Sequence, residues 1–178
     1  DTFLTLANGA AGNEEITCEG EALDIFTAAL TEVSRELAKM MAKDGEGATK
    51  LLICRVKGAM DLAAACTAAK SVICSSLFKS AMFGNDANAG ARGMCALGYS
   101  GADIDVDKVD MEFRSKNGSV KVIEAGALID FSEELALKVL SEDEIETVVD
   151  LHMGEYCAEA YGCDLTYDYV KINADYRT

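Results

Sequence analysis

The chain has 178 residues, half of them hydrophobic and 26% charged, as in an ordinary globular protein of one domain or two small ones. Acidic residues outnumber basic ones 31 to 16, and the formal net charge of −15 argues against DNA or RNA as a partner, because phosphates would be repelled. No apolar run reaches the ~18 residues of a membrane span, no basic and apolar leader opens the chain, and Asp1 stands in place of an initiator Met; the expectation is a processed or truncated cytoplasmic chain that binds no membrane.

Phe3-Leu4-Thr5-Leu6-Ala7 is a short apolar run ending at Asn8-Gly9, which reads as a buried strand and turn. From Glu21 to Lys43, Leu23, Phe26, Leu30, Val33, Leu37 and Met40 recur at three- and four-residue steps, one apolar stripe of a helix. Asp44-Gly45 should end it, with Gly45 taking the left-handed cap conformation. Residues 50–57 alternate and are rich in β-formers, with Leu51 and Ile53 on one face and Leu52, Cys54 and Val56 on the other. Apolar residues on both faces suit a central strand covered on two sides.

An alanine-crowded helix is expected over 60–75, and a further helix over 92–97 before the Gly98-Tyr99-Ser100-Gly101 turn. A soft boundary falls near residue 102. Beyond it, Val109-Asp110-Met111-Glu112-Phe113 and Val120-Lys121-Val122-Ile123 flank Asn117-Gly118, a hairpin signal. Ser132 is placed to cap a helix carrying Leu135, Val139 and Leu140. Residues 145–151 read as a strand and 165–176 as a last extended segment, with Val170, Ile172 and Ala174 alternating against Lys171, Asn173 and Asp175.

Three segments could carry chemistry. In Asp44-Gly45-Glu46-Gly47-Ala48-Thr49-Lys50 two glycines flank a glutamate. A carboxylate on such a turn could bind a substrate ammonium, although a plain helix-to-strand turn explains the glycines as well. The glycine-rich stretch from Phe83 to Gly93 precedes a helix but has neither the phosphate-loop nor the dinucleotide order. Asp103-Ile104-Asp105-Val106-Asp107 lacks the glycine and glutamate of a calcium loop, with Lys108 and Arg114 at those places, and reads as a solvated acidic face. The seven cysteines, Cys18, Cys54, Cys66, Cys74, Cys95, Cys157 and Cys163, contain no C-x-x-C pair. They are expected to be reduced, buried, small hydrophobes, with no metal site. His152, the only histidine, lies between Leu151 and Met153 and is expected to be structural.

The same segments resemble the ornithine acetyltransferase family (bifunctional ornithine acetyltransferase and N-acetylglutamate synthase). They run from Asp1-Thr2 through Asn8-Gly9, then Lys43-Asp44-Gly45-Glu46-Gly47-Ala48-Thr49-Lys50, Lys79-Ser80-Ala81-Met82-Phe83-Gly84 and Gly98-Tyr99-Ser100-Gly101. The ending follows, Gly162-Cys163-Asp164-Leu165-Thr166 and Tyr169-Val170-Lys171-Ile172-Asn173-Ala174-Asp175-Tyr176-Arg177-Thr178. Asn88-Ala89-Gly90-Ala91-Arg92 departs from the family's Asn-Trp-Gly-Arg.

The resemblance implies an α/β fold, a layered sandwich of the ornithine acetyltransferase / DmpA-like type with helices covering sheets. Residues 1–101 would be the C-terminal portion of the main sandwich, and residues 102–178 a smaller C-terminal α+β domain whose last strand returns to the active site. It implies an acetyltransferase of arginine biosynthesis moving acetyl from N-acetylornithine to glutamate by a ping-pong acetyl-threonine mechanism. The precursor cleaves itself, and the threonine nucleophile lies upstream of Asp1, so no catalytic residue carries over to this chain. Glu46, Asn173 and Thr178 carry over as substrate-binding residues. The partner implied is the alpha chain from the same precursor, in a heterotetramer of two alpha and two beta chains. No cofactor is implied, although some members also take acetyl from acetyl-coenzyme A. The chain alone is expected to be inactive. A self-processing aminopeptidase or hydrolase fragment and a non-catalytic binding fragment remain the competing readings.

Overall fold

The computed structural model describes residues 2–175. Contacts divide the chain between Leu37 and Ala38. In the first part, residues 2–20 form neither helix nor strand, and α1 (Glu21–Lys43) begins at Glu21. The expected buried strand over Phe3 to Ala7 is not formed; Phe3, Leu4 and Leu6 are exposed. A strand needs a neighbour for its N–H and C=O groups, and among the described residues none pairs with this run. The turn after it does form, with the Ala10 N–H donating to Asn8 Oδ1 at 3.0 Å. The α1 stripe appears as its spacing requires, but no residue of the helix is buried.

The second part is built on a six-stranded sheet ordered β4-β3-β2-β5-β1-β6. The strands are β1 (Leu51–Ala59), β2 (Asp110–Ser115), β3 (Gly118–Glu124), β4 (Ala127–Leu128), β5 (Glu144–Asp150) and β6 (Tyr156–Cys163). β1 and β5 are parallel, and every other pairing is antiparallel. β1 comes from before residue 102 and the remaining strands from after it, so one sheet spans that point. The hairpin at Asn117-Gly118 joins β2 to β3.

Helices α2 (Leu62–Cys74), α3 (Ser76–Phe83), α4 (Ala89–Gly98) and α5 (Glu133–Leu140) supply the apolar core together with one face of the sheet. Leu52, Cys54 and Val56 of β1, Met111 and Phe113 of β2, and Ile145 and Val149 of β5 lie there. The alanines of α2 let it approach closely: Ala65, Ala68 and Ala69 are buried, and a Cβ on Gly162 would meet Ile73 Cγ2 at 2.3 Å. Ser132 caps α5, accepting from the Leu135 N–H at 3.2 Å.

β1 is central, and α2 packs on one of its faces. On the other, Arg55 pairs with Glu146 and Glu159, each at 2.8 Å, and Lys57 with Asp150 at 2.8 Å. Leu51 and Ile53 made that face look apolar and both are buried, while Arg55 and Lys57 are half exposed and satisfied by partners on adjacent strands.

The last segment is also corrected. Residues 167–175 are a helix, α6 (Tyr167–Asp175), and not a strand. The Thr166 hydroxyl accepts the Tyr169 N–H at 3.2 Å, a helix N-cap, while the place beside β1 is taken by β6. The cysteines are corrected too. Only Cys54 is buried; Cys66 and Cys163 are half-buried, and Cys18, Cys74, Cys95 and Cys157 are exposed. All seven are free thiols. No single helix among the described residues is long and apolar enough to cross a membrane.

Candidate functional site

The turn between α1 and β1, residues 44–50, is gripped by the segment that follows β6. Asp164, only 3% exposed, accepts the N–H of Thr49 at 2.8 Å and of Lys50 at 2.9 Å, and the Thr49 hydroxyl at 2.5 Å. Two residues on, the Thr166 hydroxyl donates to the Gly47 carbonyl at 2.7 Å. Nearly two turns into α6, Asn173 Nδ2 donates to Glu46 Oε2 at 2.8 Å and to the Tyr169 carbonyl at 2.9 Å. Glu46 and Asn173, 127 residues apart in sequence, thus meet directly. Thr178 lies outside the described residues.

Close packing accounts for both glycines around Glu46. Gly47 has φ +67°, and a Cβ there would stand 2.8 Å from the Tyr169 nitrogen. A Cβ on Gly45 would meet Cys163 Sγ at 2.7 Å. Gly45 does not take the left-handed conformation expected from the helix end; Gly47 does. The glycines let α6 and the end of β6 press onto the turn, and Glu46 remains exposed between them.

Lys50 anchors the far end of the turn. Its buried ammonium donates to the Met82 carbonyl at 2.6 Å, the Leu140 carbonyl at 2.7 Å and Asn85 Oδ1. Burial pulls its pKa below the ordinary lysine value, with Asp164 opposing the shift. Three acceptors satisfy the three N–H groups, so Lys50 ties α3, α5 and the following loop to the start of β1.

Glu46 opens onto a cleft of about 340 Å³ lined by Gly45, Cys74, Ser76, Lys79, Cys163, Asp164, Leu165 and Tyr169. A larger cleft of about 520 Å³ lies on the charged face of the sheet, where Arg55 pairs with Glu146 and Lys116 with Glu142. His152 faces a third region, between Asp110 Oδ2 at 3.2 Å and Asp150 Oδ1 at 3.5 Å, with a φ of +51°. Burial pushes Asp110 up, yet the Ala125 N–H, His152 and Lys121 together hold it below the usual carboxylate range. Asp150 is likewise held low against burial, by Lys57 and the His152 N–H. His152 therefore orients no nucleophile in the Glu46 cleft. Asp105 turns to Lys108 at 2.9 Å, and among the described residues no group of three or more acidic, histidine or cysteine side chains could hold a metal ion.

Sequence reasoning singled out Glu46 and Asn173. It missed Asp164, Thr166, Lys79 and Tyr169, which shape the same cleft. The first two carried a signal: an Asp and a Thr spaced Asp-x-Thr before a helix commonly serve as turn and cap acceptors.

A profile of the ArgJ family matches residues 1–178. The chain is similar to the arginine biosynthesis bifunctional protein ArgJ of Caldanaerobacter subterraneus subsp. tengcongensis, 51% identical over 178 residues, which is all of this chain and 44% of that protein. It is similar to the glutamate N-acetyltransferase of Methanopyrus kandleri, 45% identical over 181 residues, covering 100% of this chain and 45% of that protein. The crystal structure of the arginine biosynthesis bifunctional protein from Bacillus halodurans aligns with a TM-score of 0.86 at 41% identity, over 94% of this chain and 77% of that one. The chain thus spans less than half the length of these curated relatives.

Proposed function

Because the chain belongs to the ArgJ family, we propose that it is part of an acetyltransferase of arginine biosynthesis that moves acetyl from N-acetylornithine to glutamate. The reaction is ping-pong. A threonine hydroxyl supplied by the remainder of the protein attacks the acetyl carbonyl, and ornithine leaves with the proton on its amine. The amine of glutamate then attacks the acetyl-threonine ester and frees the hydroxyl. Donors outside this chain stabilise the two tetrahedral intermediates. The partner is the alpha chain from the same precursor, in an assembly of two alpha and two beta chains in the cytoplasm. Acetyl-coenzyme A is an alternative donor. A further layer belongs over the charged face of the sheet, as a layered sandwich requires.

Within this chain, Glu46 takes the ammonium group of the substrate, and Asn173 and Thr178 hold its amino-acid end. The observation that supports this is the 2.8 Å contact from Asn173 to Glu46, which lines the cleft. Asn173 spends both amide hydrogens on Glu46 and Tyr169. Its amide oxygen and the second oxygen of Glu46 remain as acceptors, the donor-poor arrangement an ammonium group seeks.

The test is acetyl transfer from N-acetylornithine to glutamate, measured for the 178 residues alone and after completion by the missing part of the family's length. The completed protein should turn over and the chain alone should not. In the completed protein, Glu46→Gln should weaken use of N-acetylornithine far more than it weakens folding. Robust turnover by the chain alone, or unchanged kinetics in Glu46→Gln, would remove this reading.

A further inference from the structure

The cleft beside Glu46 holds a second charge that the ammonium-binding role leaves unused. Of its charged lining residues, Asp164 is consumed by Thr49 and Lys50. That leaves Glu46 and Lys79. Lys79 sits on α3 and is half-buried. Its carbonyl accepts the Leu165 N–H at 3.3 Å, which ties its backbone to the segment carrying Asp164 and Thr166.

Its ammonium has no ion-pair or hydrogen-bond partner among the described residues. Other lysines without such a partner, Lys70, Lys138 and Lys171, do not line this cleft. Arg55, Lys57, Arg114, Lys116 and Lys121 all meet carboxylates within 3.1 Å. An unpaired, part-desolvated ammonium costs stability, and the opposite charge in the same cleft, Glu46, does not neutralise it. Among the described residues the cleft therefore presents one carboxylate, with one oxygen held by Asn173, and one ammonium without a partner.

We propose that Lys79 is a specificity-determining residue that receives the side-chain carboxylate of the acetyl acceptor. The inference rests on the reading above and deepens it. In a ping-pong reaction one cleft holds the two amino acids in turn. Their side chains end in opposite charges, an ammonium on the ornithine and a carboxylate on the glutamate. Glu46 serves the first and Lys79 the second. A cleft with Glu46 alone would attract the donor and repel the acceptor, and Lys79 removes that asymmetry.

The experiment uses the completed two-part protein with Lys79→Met and Lys79→Arg. Methionine keeps the apolar stem and deletes the charge, so thermal denaturation should change little in either variant. For Lys79→Met, KM for glutamate should rise by about tenfold or more, the usual scale for a lost charged hydrogen bond. KM for N-acetylornithine should move less than about threefold on the same scale, and Lys79→Arg should recover most of the loss. Calorimetric titration of glutamate into wild type and Lys79→Met checks binding without turnover, and the variant should bind more weakly by a similar factor. Wild type that transfers no acetyl overturns the reading of the function, while the titration still decides on Lys79. Wild type that transfers acetyl, with glutamate KM and binding unchanged in Lys79→Met or both KM values raised equally, overturns the role of Lys79 alone.

Discussion

Replacing Asp164 by alanine should loosen the Glu46 turn more than any other single change to a polar side chain around it. The carboxylate accepts the N–H groups of Thr49 and Lys50 at 2.8 and 2.9 Å, plus the Thr49 hydroxyl. Hydrogen bonds to a charged acceptor are worth roughly 1.5–3 kcal/mol each. Thr49 is exposed, so its hydroxyl can turn to water and adds little. The two backbone donors remain, and water entering the vacated space can serve one of them in part. The expected loss is about 3–5 kcal/mol, a large share of the ~5–15 kcal/mol that stabilises a domain.

Asp164→Asn keeps an oxygen in place for both N–H groups and gives up the charge, so it should cost only about 1–2 kcal/mol. Urea denaturation of the chain and both variants measures the difference, and Thr49→Ala alone and combined with Asp164→Ala isolates the hydroxyl. Amide exchange at Tyr169 should quicken in Asp164→Ala, because Thr166 caps that N–H from two residues beyond Asp164. Asp164→Ala within about 1 kcal/mol of wild type, or Asp164→Asn as unstable as Asp164→Ala, would refute the reasoning, since the lost acceptor would not then be what holds the turn.

Gly47→Ala puts a Cβ 2.8 Å from the Tyr169 nitrogen at φ +67°. The left-handed conformation and the displaced α6 together should cost about 2–4 kcal/mol, read as a lower denaturation midpoint with faster exchange along residues 167–175. Asp110 and Asp150 have depressed pKa values in the folded chain. The stability they contribute is therefore complete above the unfolded carboxylate range, near pH 4, and is lost as pH falls through the lower folded values. Asp110→Asn with Asp150→Asn should flatten the acid limb of stability below about pH 4. Burial pushes the Cys54 thiol up to about 12. Brief alkylation of the native chain at pH 8, read by peptide mass, should thus spare Cys54 while labelling exposed Cys18, Cys74, Cys95 and Cys157.

Several elements were legible because their causes are local. The α1 stripe, the β1 alternation, the Asn117-Gly118 hairpin and the Ser132 cap each depend on residues within a turn or a few positions of one another, and the structure has them all. Glu46 was legible as a glycine-flanked carboxylate, and Asn173 through the family resemblance of the ending. What failed depends on partners far along the chain. Phe3 to Ala7 and residues 165–176 carry strand-like residues, but a strand exists only where another edge offers hydrogen bonds. β6 took the edge beside β1, and Thr166 turned the following residues into a helix.

The same reason hid most of the site. Nothing near Asp164 in sequence says that its carboxylate will face Thr49 and Lys50, more than a hundred residues earlier. Nothing near Lys50 says that its ammonium will end among Met82, Asn85 and Leu140. The sequence by itself determined which segments could be helix or strand and which turn could bear a carboxylate. Only the tertiary structure decided that α6 closes on that turn, that Glu46 meets Asn173 and that Lys79 has no partner among the described residues in the same cleft, because hydrogen bonds and ion pairs go to groups close in space, and folding alone brings these together.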